Sequence, residues 1–207
     1  MRPHEAILAA VFTALSAGGA VAQSRPPFPP SVDAAVTYHV ESSAPGVPEA
    51  IEVRWSAAGG RMRVDGGMPG YVLFNQAARS AELVVPGLGM MVDAPRAAGV
   101  DQFYALQNAH RFVRRGSTMV AGLRCTEYGV TDANAVGTAC LTPQGVPLRI
   151  DGQDQRGRTA HLEATSVSLA PQDPAIFEPP ANVRRVDAAA LGRQALGALL
   201  KGQAAQP

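Results

Sequence analysis

From Val36 to Leu169 apolar and polar residues alternate in short runs with a period of two. In "VTYHVE", Val36, Tyr38 and Val40 share one side, and Thr37, His39 and Glu41 the other. "IEVRW" sets Ile51, Val53 and Trp55 against Glu52 and Arg54, and "RMRVD" sets Met62 and Val64 against Arg61, Arg63 and Asp65. "VPLRID" sets Val146, Leu148 and Ile150 against Arg149 and Asp151. Successive side chains of a strand point to opposite faces, so each run predicts a strand buried on one side only. The stretches "SAAGG", "GGMPG", "TPQG" and "DGQDQRG" fall between the runs and supply turn residues. Short strands punctuated in this way predict a large meandering antiparallel sheet.

Helical patterning is sparse. "GVDQFYALQNAHRF" carries Phe103, Leu106 and His110 on one side and predicts a short helix. "VDAAALGRQALGALLKG" predicts another, with Asp187 as N-cap and Leu196, Leu199 and Leu200 on one face. Gly192 and Gly197 each weaken it by about 1 kcal/mol relative to alanine. A twisted sheet of many strands must curl, pack on something or expose its inner face. With so little helix to cover it, the expected fold is mainly β (α+β): a curved antiparallel sheet, or unclosed β-barrel, around a partly open apolar hollow. Strand parity assigns Tyr38, Val53, Trp55, Met62, Val64 and Val85 to the lining of that hollow.

The ends change the picture of where the chain acts. Arg2, the apolar stretch Ala6 to Ala17 and the A-x-A pattern Ala20-Val21-Ala22 predict a cleaved secretory signal over residues 1–22. No later stretch has the roughly 20 apolar residues needed to cross a bilayer as a helix. "SRPPFPPS" places a proline-rich extended lead at 23–33. One β-rich half-barrel domain is expected over 34–187, then a helix and frayed tail over 188–207. The expected location is periplasmic or secreted, in a bacterium.

Cys125 and Cys140 are the only cysteines. They flank "TDANAVG", a turn-like centre between the strand-like "RCTEYGV" and "GTACLT". In an oxidising compartment such a pair bonds, so we expect one disulfide across a hairpin. There is no C-x-x-C redox spacing and no further thiol or spaced histidine for zinc.

The chain has 18 basic and 17 acidic residues, and Lys201 is the only lysine. Near-zero net charge without long blocks of one sign argues against a nucleic-acid surface. Arg54, Arg61 and Arg63 share one polar face, which reads either as a solvated surface or as an anion patch. His39, His110 and His161 stand alone in the sequence, without H-E-x-x-H or H-x-H spacing. Neither G-x-S-x-G nor a phosphate-binding loop occurs, so no catalytic residue, metal or cofactor is expected. Met62, Met68, Met90, Met91 and Met119 are read as adaptable apolar packing. "VVPGLGMMV" (Val84 to Val92) is read as an apolar rim or, equally, as a buried strand pair.

The C-terminal half carries a resemblance. "VAGLRCTEYGV", "GTACLTPQGVPLRIDGQ" and "LEATSVSLAPQDPAIFEPPANVRRVD" are similar to a family of exported bacterial proteins of unknown function. The closing Asp173-Pro174-Ala175-Ile176-Phe177 segment and the strand plan also resemble the periplasmic lipoprotein-carrier (Lol-type) superfamily. That resemblance implies an unclosed barrel whose concave apolar face holds acyl chains. The functional expectation is an exported, non-enzymatic protein binding an apolar small molecule, such as a lipid or acylated molecule. An envelope protein–protein interaction or sensor module is the alternative, and an unrecognised hydrolase the third reading.

Overall fold

The computed structural model describes residues 25–94, 106, 109–133 and 135–187. The first meander comprises β1 (Ala34–Ser42), β2 (Ala50–Ser56), β3 (Arg61–Asp65), β4 (Tyr71–Asn75), β5 (Ser80–Val85) and β6 (Met90–Asp93). The second comprises β7 (Arg111–Val120), β8 (Leu123–Thr131), β9 (Ala135–Leu141), β10 (Pro147–Asp154) and β11 (Thr159–Ser168), and a short β12 (Arg184–Arg185) follows. All twelve join one curved, unclosed sheet in the order β12-β6-β5-β4-β3-β2-β1-β11-β10-β9-β8-β7. Every pairing is antiparallel except that of β12 with β6. The fold expected from the alternation is therefore the fold found.

The turns follow from their residues. Ala121 and Gly122 join β7 to β8 with φ of 48° and 78°, the two positive angles a tight two-residue hairpin needs. Between β9 and β10, Gly145 has φ of 86° and packs its bare Cα against the carbonyl of Pro27. Asp132 closes the β8–β9 turn, its carboxylate accepting from the Ala135 amide at 2.7 Å. "VVPGLGMMV" is a strand pair: β5 and β6 joined by a 3-10 turn at Pro86–Leu88.

One departure from expectation stands out. The segment read as a helix through Phe112 gives way to β7 from Arg111; Leu106 is helical, and most of the rest of that segment lies outside the described residues. The expected signal segment and C-terminal helix lie wholly or almost wholly outside them too. The proline-rich lead, over its described residues, is docked rather than loose. Pro26 and Pro30 are buried, and the Ser31 amide donates to the Gln144 carbonyl at 2.8 Å.

Beyond β11 the chain straps the outer face of the first meander. The Asp33 carboxylate accepts from the Ala57 and Gln172 amides, both at 2.9 Å, and so joins three segments. Asp173 caps a 3-10 turn at Pro174–Phe177 by accepting from the Ala175 amide. Arg61 and Arg63 donate to the carbonyls of Phe177 and Ile176, each at 3.3 Å, and Arg61 also meets Glu178. Val183 packs on Tyr71, Leu73 and Val84. The strap then pairs as β12, where Arg185 bonds Asp93 at 2.8 Å and also meets Glu82. Tyr71 to Phe74 are consequently buried on both faces of β4.

Candidate functional site

The register of the first meander lines its inward residues into rows that cross the strands. One row runs Ala34, Trp55, Met62, Phe74, Ala81; the next runs Val36, Val53, Val64, Val72, Leu83, Val92. Beside them Tyr38 faces Ile51, and Val85 faces Met90. All these residues belong to one apolar cluster. Strand parity and antiparallel register are sufficient to build the patch, because each strand presents every second residue to the same side.

The six residues assigned from sequence therefore come together on one face. Tyr38, Trp55, Met62 and Val85 are buried, whereas Val53 and Val64 are half-buried, as is Ile51 beside them. Two of the six also have polar ends committed within the fold. The Trp55 indole donates to the Pro30 carbonyl at 2.9 Å, fixing the proline lead against the patch. The Tyr38 hydroxyl donates to the Pro147 carbonyl at 2.6 Å, reaching across β11 to β10. Burial raises the Tyr38 phenol well above the usual tyrosine range.

The structure also has two open surface cavities. One, of about 550 Å³, is lined by Pro30, Val32, Asp33, Ala57, Leu169 and Pro171. The other, of about 560 Å³, includes Glu41, Ser43, Thr138, Asp151, Gly152 and His161 in its wall. None of the six sequence-assigned residues lines either.

Sequence reading missed a polar chain beside the second cavity, because its members come from four strands. Thr138 donates to Asp151 at 3.1 Å, and Asp151 lies 2.6 Å from His161 Nδ1. Glu163 is 3.9 Å from His161 Nε2 and accepts from Arg149 Nε at 2.7 Å; Arg149 in turn reaches Glu127 at 3.8 Å. The Thr138 hydroxyl addresses the carboxylate rather than the imidazole. The order nucleophile, base, carboxylate that acyl transfer requires is thus not formed by these three. Among the described residues no set of three His, Cys, Asp or Glu is arranged to hold a metal. Arg54 and Arg63 are likewise internally occupied: Asp65 accepts from both, at 3.2 Å from Arg54 and 2.7 to 2.8 Å from Arg63. Arg63 also stacks 3.6 Å above the Tyr71 ring.

Cys125 and Cys140 are bonded, as the sequence led us to expect, with Cα atoms 5.3 Å apart. They are diagonal rather than directly opposed, since Cys140 faces Glu127 in the β8–β9 ladder. Their neighbours Ala139 and Leu141 join a second apolar cluster with Phe112, Tyr128 and Phe28, while the disulfide belongs to the first. The end of β9 is thereby buried on both sides.

No protein-family model matches the chain, and no curated protein does. Solved structures do. MucB is 15% identical with a TM-score of 0.41, over 73% of this chain and 58% of MucB, so the chain spans less than two thirds of that protein. A LolA superfamily protein from Nitrosomonas europaea is 11% identical with a TM-score of 0.38, over 72% of this chain and 91% of that one. PNGF-II is 12% identical with a TM-score of 0.45, over 80% of this chain and 33% of that one. At these identities and scores the likenesses carry no ligand, partner or activity over to this chain.

Proposed function

We propose that this is an exported, non-catalytic binding protein whose apolar inner face takes the hydrocarbon part of a lipid or acylated molecule. One observation carries the reading. Six adjacent strands of an unclosed sheet present a continuous apolar face, buried at its centre and half-buried along Ile51, Val53 and Val64. A face of this kind suits an aliphatic chain because burial of apolar area drives association without directional contacts. The half-buried Ile51, Val53 and Val64 mark where a chain would enter, with Trp55 and Met62 forming the deeper floor. Export is supported by the signal-like N-terminus and by the paired cysteines, since such bonds persist in oxidising compartments.

Trp55 is the only tryptophan and lies in the floor, so the protein carries its own reporter. Delipidated protein titrated with cis-parinaric acid should show energy transfer from Trp55 to the bound polyene. Val64→Asp, which places a charge at the half-buried margin, should weaken binding at least tenfold. Absence of transfer in the wild type, together with no extractable lipid in native material, would overturn the proposal.

A further inference from the structure

The sheet ends differ sharply. The β6 edge is capped by β12, whereas β7, a strand of 10 residues, ends the sheet with only β8 beside it among the described residues. An uncapped strand edge presents a row of unused N–H and C=O groups, a template for another extended chain. Arg111, Val113, Arg114, Arg115, Ser117 and Met119 are exposed along β7; Val113 is 41% and Met119 57% accessible.

Charge selects the occupant. β7 reads RFVRRGSTMV and holds no carboxylate; β8 adds the exposed Arg124 opposite Met119 and one carboxylate, Glu127 opposite Gly116, which lies 3.8 Å from Arg149. By contrast with Arg54, Arg61, Arg63, Arg149 and Arg185, each within 4.0 Å of a carboxylate, Arg111, Arg114, Arg115 and Arg124 meet none among the described residues. Arg115 sits in a bulge between Arg114 and Gly116. Bulges and charges are the usual guards against indiscriminate edge pairing. A second copy would bring another arginine-bearing, carboxylate-free edge alongside, and like charges repel. An acidic strand would meet the reverse.

The geometry points to β7 as a docking edge for an extended acidic segment of a partner polypeptide, added as a further strand. Acidic residues of that segment lie beside Arg111 on one face of the added strand and beside Arg114 on the other, with Arg115 in the bulge between them. This site is independent of the apolar inner face.

The test uses the purified chain and two synthetic peptides, one carrying Glu and Val in alternating pairs, so that Glu reaches both faces of the added strand, and one carrying Lys in place of Glu. The acidic peptide should bind, with affinity falling as salt rises, and should slow amide exchange within Arg111–Val120. Arg114→Glu with Arg115→Glu should reduce that affinity at least tenfold and create binding of the lysine peptide. The gained binding also shows that the double variant folds, and Arg124→Glu provides a second, single substitution expected to shift affinity the same way. Equal binding of both peptides, or protection outside β7, overturns the proposal. So does a wild-type chain that dimerises through this strand.

Discussion

Tyr38→Phe removes one oxygen and tests how firmly the two meanders are tied. The hydroxyl is buried and donates to the Pro147 carbonyl at 2.6 Å. Without it, a carbonyl in a dry setting loses its donor, which costs about 1–2 kcal/mol. Wild type should exceed the variant in stability by that amount at neutral pH. Burial raises the folded-state pKa of Tyr38, whereas the unfolded chain ionises it near pH 10. Above that pH the unfolded state holds fewer protons than the folded state, so stability is present below about pH 10 and lost as pH rises. The loss reaches about 1.4 kcal/mol at pH 11 and grows by about as much per further unit until the folded phenol ionises. The variant has no such slope, and Tyr71, Tyr104 and Tyr128 act alike in both proteins. The two stability curves should therefore cross between about pH 10.5 and 11.5. Urea unfolding at intervals from pH 7 to about 11.5, followed by circular dichroism, reads the gap directly. A gap that stays constant above pH 9 would mean that Tyr38 ionises as freely folded as unfolded, and the buried tie would be refuted.

Further outcomes are expected. Replacing Cys125 and Cys140 by alanine opens a link of sequence separation 15, worth about 3 kcal/mol by loop-closure entropy; calorimetry should show a matching fall in Tm. Gly137 and Gly152 are register partners, yet alanine at 137 drives a methyl into the Asp151 carbonyl while alanine at 152 meets open space. Gly137→Ala should cost about 2 kcal/mol or more, and Gly152→Ala should stay within about 0.5 kcal/mol of wild type, both by urea unfolding. Arg63→Ala removes the ties to Asp65 and the Ile176 carbonyl and uncovers the Tyr71 ring. Limited proteolysis should then cut within residues 170–187 well before it cuts the sheet.

Much of the architecture was legible because a strand's periodicity is local. "IEVRW" and "RMRVD" declare their inner faces without knowledge of their neighbours, and antiparallel register then aligns Trp55 with Met62 and Val53 with Val64. Turn chemistry in "TPQG" and "TDANAVG" fixed where the chain reverses. What escaped depends on distant partners. Nothing around His161 signals Asp151, which β10 brings to it, whereas Glu163 stands two residues along the same strand. The proline lead looks free until Trp55 and Gln144 hold it. β7 has too many charges to read as a strand, since only Phe112 and Val120 along it are buried. The strap declares itself through contacts such as those of Arg61 and Arg63, whose partners lie more than a hundred residues away.

The first strand synthesised is a central strand of the sheet. β1 finds β2 at once, but its other flank waits for β11, where the Thr165 hydroxyl bonds the Thr37 carbonyl across 128 residues. Until β11 has been made, the meander from β1 to β6 carries a raw seam along β1. Such late, long-range closure slows folding and prolongs exposure to misassociation. Newly made protein should therefore lean on a holding chaperone far more than the completed molecule does.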